Sequence, residues 1–262
     1  MNLLFIGDVI GRPGRAAIKA RLPAIISRYQ VDFSIANAEN AAGGLGVTQT
    51  VAEELLAAGV DVLTTGNHVW KHRGFAEFAQ SEHRIVRPAN YPPGAPGRGA
   101  EVFRTAHSGP VAVFNLVGRV FMEPLDCPFR AADREIEALR GKTNLVVVDI
   151  HAEATSEKSA LGWYLDGRVS AAIGTHTHVQ TADERVLPRG TAYITDVGMT
   201  GPRDSVIGIR SEPVIERFVT GLPTRFEVAT GPVILNAVVV RIDAETGTAR
   251  SIERVIELIE PE

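Results

Sequence analysis

Short apolar runs, each closed by a polar or glycine-containing turn and followed by a helix-compatible segment, recur through the first two-thirds of the sequence. Nothing else restricts the fold as strongly, because this alternation is the pattern of βαβ units around a largely parallel, buried sheet. Strands are predicted over residues 3–6, 33–37, 60–65, 144–150 and 171–174. A helix is expected from Pro13 to Tyr29, since proline is tolerated in a first helical turn. Thr50 and Glu53 have capping-box spacing, which predicts a helix running to Ala58 and stopped at Gly59. Residues 87–99 are rich in Pro and Gly and read as a surface loop, and strand-like patterning resumes over 102–116. The C-terminal third, notably 233–242 and 249–259, is β-rich and is expected to complete a second sheet. Residues 1–262 are read as a single domain, with room for an inserted subdomain around 85–130.

A chain of 262 residues with 45% hydrophobic content can bury a sizeable core. Its net charge of -4 argues against a broad electropositive face for long nucleic acids, while a small phosphorylated substrate stays compatible. Cys127 is the sole cysteine, so neither an internal disulfide nor a cysteine-based zinc site can be built, and a reducing cytoplasm fits best. The opening MNLLFIGD lacks the features of a secretory signal, and no uncharged apolar run has membrane-spanning length, so a soluble protein without membrane contact is expected. A homo-oligomer is compatible with the chain, as closed symmetric assemblies are common.

Each predicted strand is followed by side chains able to bind a metal: Asp8 after LLFIG, Glu39 and Asn40 after FSIANA, Asn67 and His68 after VLTTG, His151 after LVVVDI, and His176 with His178 after AAIGT. Ligands of open α/β sheets bind outside the carboxyl ends of the strands, so parallel strands would bring these residues to one edge. Carboxylate, carboxamide and imidazole donors together suit manganese, iron or zinc. They exceed what one ion needs, whereas two ions about 3.5–4 Å apart sharing a carboxylate would use nearly all of them. Glu39, with two oxygens, is the natural bridge.

Taken singly, each has a bland reading. Asp8 is as well explained as a helix cap, and Glu39-Asn40 as turn residues. GNH at 66–68 reads as a turn with a packed His, and His151 as a satisfied core histidine. His176 and His178 are harder to dismiss, because alternation in an extended segment puts both imidazoles on one side. Recurrence at five successive strand ends shifts the balance, while His72, His83 and His107 fall elsewhere and are taken as surface or structural.

With GD at 7–8, GNH at 66–68, an isolated His at 151 and GTHTH at 174–178, the chain resembles the calcineurin-like metallophosphoesterases. It departs from their general pattern in two places: Ile10 stands where the first motif normally has His, and Ala38-Glu39-Asn40 replaces a GD-type turn. Both departures are similar to the YmdB-like subfamily of bacterial phosphodiesterases, as are GDVIGRPGR at the start and DVGMTGP at 196–202. The resemblance implies a layered α/β sandwich with the metal site at the C-terminal strand ends. It implies two metal ions per subunit, iron first with manganese or another divalent ion as alternative. Asp8, Glu39, Asn40 and His178 would hold one ion, and Glu39, Asn67, His151 and His176 the other. His68 would stay free of metal, and the substrates implied are 2',3'-cyclic nucleotides.

The expected reaction is phosphodiester hydrolysis by a metal-bridging hydroxide, with His68 as the general acid that protonates the departing ribose oxygen. Opening at the 2'-oxygen to leave a 3'-nucleotide is implied by the resemblance alone. Two rivals stand beside it: a metal-dependent phosphomonoesterase or protein phosphatase on the same metal pair, and a nucleotide-sensing regulatory protein with little turnover. A domain that keeps metal only for stability ranks below both.

Overall fold

The computed structural model describes residues 1–260. Two sheets face each other, and helices cover their outer surfaces. The first sheet collects β1 (Asn2–Ile6), β2 (Asp8–Val9), β3 (Phe33–Asn37), β4 (Val62–Thr64) and β5 (Ile85–Val86) with three strands from the C-terminal part of the chain. The second collects β6 (Ala100–Arg104), β7 (Pro110–Val117), β8 (Leu145–His151), β9 (Ala171–Thr175), β10 (Arg185–Val186) and β11 (Ala192–Ile194). The late strands of the first sheet are β12 (Met199–Pro202), β13 (Val233–Ile242) and β14 (Ala249–Ile259). The stretch 85–130 thus supplies β5, β6 and β7.

Period-two alternation of apolar side chains builds the layers. Leu3 and Phe5 point to the second sheet and meet Val113, Val147 and Ile173, while Leu4 and Ile6 point outward. There they meet Ile18, Leu22 and Ile25 of α1 (Gly11–Tyr29) and Leu55 of α2 (Gln49–Ala57). A short helix, α3 (Phe75–Ser81), adds Phe75 to the same layer. On the far side Phe114, Val146 and Val148 pack on Ala131 and Ala132 of α4 (Pro128–Leu139) and Leu161 and Leu165 of α5 (Thr155–Leu165). The last helix, α6 (Ser211–Thr220), follows β12. No helix among the described residues is long and apolar enough to cross a membrane.

β1, β3, β4 and β5 run parallel, and so do β7, β8, β9 and β11. The expected parallel βαβ cores are present, but as two sheets and not one. Of the C-terminal third, β10 and β11 do join the second sheet, but 233–242 and 249–259 do not. β13 instead inserts antiparallel between β12 and β1 of the first, where Val238 and Val240 fill the layer between the sheets. The second helix also starts earlier than its sequence suggests. Thr48 is in extended conformation and its Oγ1 accepts the Val51 N–H at 3.3 Å, so Thr48 is the cap and Thr50 lies within the first turn.

Candidate active site

The parallel strands of both sheets deliver Asp8, Glu39, Asn40, Asn67, His68, His151, His176 and His178 to one edge of the sandwich, as the strand-end argument predicts. Glu39 is at their centre. Its Oε1 lies 3.0 Å from His151 Nε2, 3.3 Å from His68 Nδ1 and 3.8 Å from His176 Nδ1. Its Oε2 accepts the His68 N–H at 3.2 Å. Asp8 Oδ2 accepts the His176 N–H at 3.1 Å, and Asp8 Oδ1 lies 3.9 Å from His178 Nε2. Asn67 Oδ1 is 3.2 Å from His151 Nε2, and Asn40 reaches His178 Nε2 with Nδ2 and His68 Nδ1 with Oδ1, both at 3.2 Å. His68, Glu153, Ile207 and Ile209 line a cavity of about 380 Å³ with Glu39, Asn40, His176 and His178.

Local sequence explains the closeness. A Cβ on Gly66 would lie 2.1 Å from Glu39 Oε2 and 2.3 Å from His151 Nε2, so only glycine lets the turn after β4 pass beneath the cluster. His151 is the last residue of β8 and not the first beyond it, so the sheet ladder holds it directly. His176 and His178 do not owe their shared direction to strand alternation. They follow the end of β9 and have φ values of 91° and 67°, a left-handed backbone that residues other than glycine enter only when their surroundings impose it. Buried Asp196 imposes it here: its Oδ2 accepts the Thr177 N–H at 3.0 Å, the Thr177 hydroxyl at 2.6 Å and the Lys158 Nζ at 2.8 Å. Lys158 also donates to Thr177 Oγ1 at 2.9 Å.

Each of the three histidines has its outer nitrogen tied to an acceptor. His151 Nδ1 is 2.8 Å from Thr175 Oγ1, which gives its own proton to Asp149 at 2.7 Å and so accepts from the imidazole. His178 Nδ1 donates to the Ile207 carbonyl at 2.9 Å, and His176 Nε2 faces Glu153 at 3.2 Å. These assignments leave His151 Nε2 and His176 Nδ1 as bare lone pairs only 3.0 Å apart, beside an ionised carboxylate. The Glu39, His151 and His176 ligand atoms all lie within 4.8 Å of one another, and Asp8 Oδ1 is buried without a hydrogen-bond partner. Converging acceptors with no proton between them and an orphaned carboxylate oxygen are the donor set a cation requires, so the residues fit a metal.

Titration points the same way. Burial pushes His151 down to about 4 and lowers His178, which keeps both rings neutral and able to ligate. Burial opposes the charge on Glu39, and without a metal its carboxyl is held well below the usual range only by charge and protons drawn from His151, His176 and His68, the positive contribution a cation would supply in their place. Asp8 is raised by burial and then by Asp196 and Glu39, the response of carboxylates crowded together without a counter-ion. Burial drives Asp149 up to about 7 despite its hydrogen bonds from Thr175 and Asn37, and a cation nearby would favour its ionised form.

Residues taken as bystanders stay so: His72 bonds the Leu45 carbonyl, His83 stacks on Phe103 and His107 is exposed. Sequence reasoning overlooked Asn37, Asp149, Glu153, Lys158 and Asp196. Asp149 left a trace, as the only charge within the apolar run LVVVDI, where a carboxylate is costly unless it is used.

The profile of a family described as YmdB-like protein matches residues 4–255. A 2',3'-cyclic-nucleotide 2'-phosphodiesterase of Bacillus subtilis (strain 168) is 50% identical over 256 residues, spanning 98% of this chain and 97% of its own. The crystal structure of a novel phosphatase from Mycoplasma pneumoniae superposes with a TM-score of 0.93 at 37% identity, covering 99% of this chain and 94% of its own. The calcineurin-like phosphoesterase YfkN from Bacillus subtilis, at 10% identity and a TM-score of 0.55 over 98% of this chain and 90% of its own, shares the fold alone.

Proposed function

The chain belongs to the YmdB-like family, and from that premise we propose that it hydrolyses small phosphodiesters, opening 2',3'-cyclic nucleotides to 3'-nucleotides at a two-metal centre. The observation that carries this reading is the convergence of Glu39, His151 and His176 beside the partnerless Asp8 oxygen, on a chain half identical to a named diesterase of that class. Asp8, Glu39, Asn40 and His178 would hold one ion, and Glu39, Asn67, His151 and His176 the other, iron being the first choice and manganese the second. Such ions, when bound, supply an activated water and neutralise charge developing on the phosphoryl group. A cytoplasmic setting accompanies the reading, supported by the single cysteine.

His68 handles the leaving group. Its Nδ1 faces Asn40 Oδ1 at 3.2 Å and Glu39 Oε1 at 3.3 Å, and its side chain keeps 27% of its surface exposed in the cavity. With Nδ1–H given to Asn40, Nε2 is the atom left to carry the proton passed to the departing ribose 2'-oxygen. An alkoxide leaves poorly at neutral pH, so a positioned acid is needed, and its loss should slow turnover by about 10²–10⁴-fold.

Purified protein loaded separately with iron and with manganese would be incubated with 2',3'-cyclic AMP and the product identified by chromatography. Metal-dependent 3'-AMP is expected, suppressed by chelation and by His68→Ala, which retains its metals. Metal loss from His68→Ala would make His68 a ligand. Faster release of phosphate from 3'-AMP than opening of the cyclic diester would favour a monoesterase, and nucleotide binding without product a sensor.

A further inference from the structure

The turn between Val206 and Ile209 is built for one chemistry and filled with another. Val206 and Ile209 pair antiparallel, exchanging N–H···O bonds of 2.8 and 3.0 Å, and the two residues between them have φ values of 48° and 98°. A two-residue turn left-handed at both positions favours Asn-Gly. Here it is Ile207-Gly208, and a β-branched residue at positive φ is an outlier that surrounding structure or function must sustain.

The Ile207 carbonyl has a task, accepting His178 Nδ1, but that task needs the turn and not the isoleucine. Asparagine would hold the same turn with less strain. The Ile207 side chain is therefore the unexplained part: half exposed at 50%, it lines the cavity that holds Glu39, His68 and His176. Ile209 and buried Ile10 line the same cavity. Ile10 also fixes the turn, because a Cβ on Gly208 would meet Ile10 Cγ2 at 2.6 Å and one on Gly201 would meet Ile10 Cβ at 2.7 Å. Three isoleucines thus give the cavity an apolar wall beside its charged and polar groups.

We propose that this wall is the seat of the nucleobase: Ile10, Ile207 and Ile209 receive the flat face of the base while the cyclic phosphate meets the Glu39–His151–His176 cluster. The inference rests on the diesterase reading and deepens it. None of the three side chains can hydrogen-bond a base edge, so the wall reads the presence of a base and not its identity. The enzyme should therefore use 2',3'-cyclic AMP and 2',3'-cyclic UMP with similar efficiency and favour both over ribose 2,3-cyclic phosphate, which has no base.

The test compares kcat/KM for these three diesters in manganese-loaded wild type and in Ile207→Asn, a variant that keeps the turn and its carbonyl. Wild type should prefer the nucleotides by about tenfold or more, the discrimination an apolar pocket achieves. In Ile207→Asn that ratio should fall toward one, mainly through KM, with thermal stability kept or raised. Calorimetric binding of 3'-AMP against ribose 3-phosphate should change in parallel. A wild type that hydrolyses nucleotide and base-less diester equally well keeps the diesterase and overturns the wall, as does an unchanged ratio in the variant. Strong discrimination between adenine and uracil also overturns it, by requiring polar recognition of the base edge. Turnover of none of the three removes the diesterase reading and this one together.

Discussion

His151 and the His176–His178 pair reach the same cluster of side chains by opposite means. His151 is a strand residue, fixed by the register between β7 and β8, and its side chain needs only Thr175 and Asp149 to set its proton. His176 and His178 stand on a left-handed turn held by the buried Lys158–Asp196 pair. Regular backbone can present a ligand at little cost, whereas two ligands two residues apart that must both face inward from beyond a strand end require a charged clamp.

The severest way to break this contrast is Gly66→Ala, which forces a methyl group between Glu39 and His151 and so displaces the strand-borne imidazole together with the carboxylate on which His176 also converges. Metal binding followed by calorimetry should be abolished; an alanine variant that binds metal normally would show that the turn has room to move. Next comes Lys158→Met, which leaves Asp196 buried without its counter-charge and should destabilise the protein by ~3–5 kcal/mol in denaturant unfolding. Wild-type stability in that variant would mean that the clamp is idle and that the turn holds itself. The mildest is Asp149→Asn, which keeps the shape of the relay but removes the carboxylate that sets the Thr175 hydroxyl. Metal affinity should fall by about 10–100-fold while unfolding stability changes little. An equal loss of stability would make Asp149 a structural residue.

The same contrast explains what the sequence discloses. Apolar runs ending in Asp8, Glu39, Asn67, His151 and His176 are local patterns, and parallel sheet geometry does the rest, so the edge on which they meet is legible. Strand alternation groups His176 with His178, but what places both on one side is a left-handed turn and not an extended segment. Lys158 and Asp196 are 38 residues apart and become partners only through packing of α5 against the second sheet, which no spacing rule signals. The place of β13 is illegible for a related cause: its alternating apolar residues specify a two-faced strand but not its neighbours.

That insertion has a consequence for the order in which the molecule is made. β1 pairs with β3 on one side, but its other neighbour is β13, Leu3 lying opposite Val240. Asp8 is more dependent still, because β2 joins the sheet only through β12, and β12 only through β13. The first of the proposed ligands to leave the ribosome thus depends on strands that are made among the last. A nascent chain that has emerged through His178 already has every imidazole of the cluster and Glu39, yet lacks the strand that anchors Asp8. A metal centre at these residues would therefore be completed only once the sheet closes through β13, so its assembly should follow long-range sheet closure and not the synthesis of the side chains themselves.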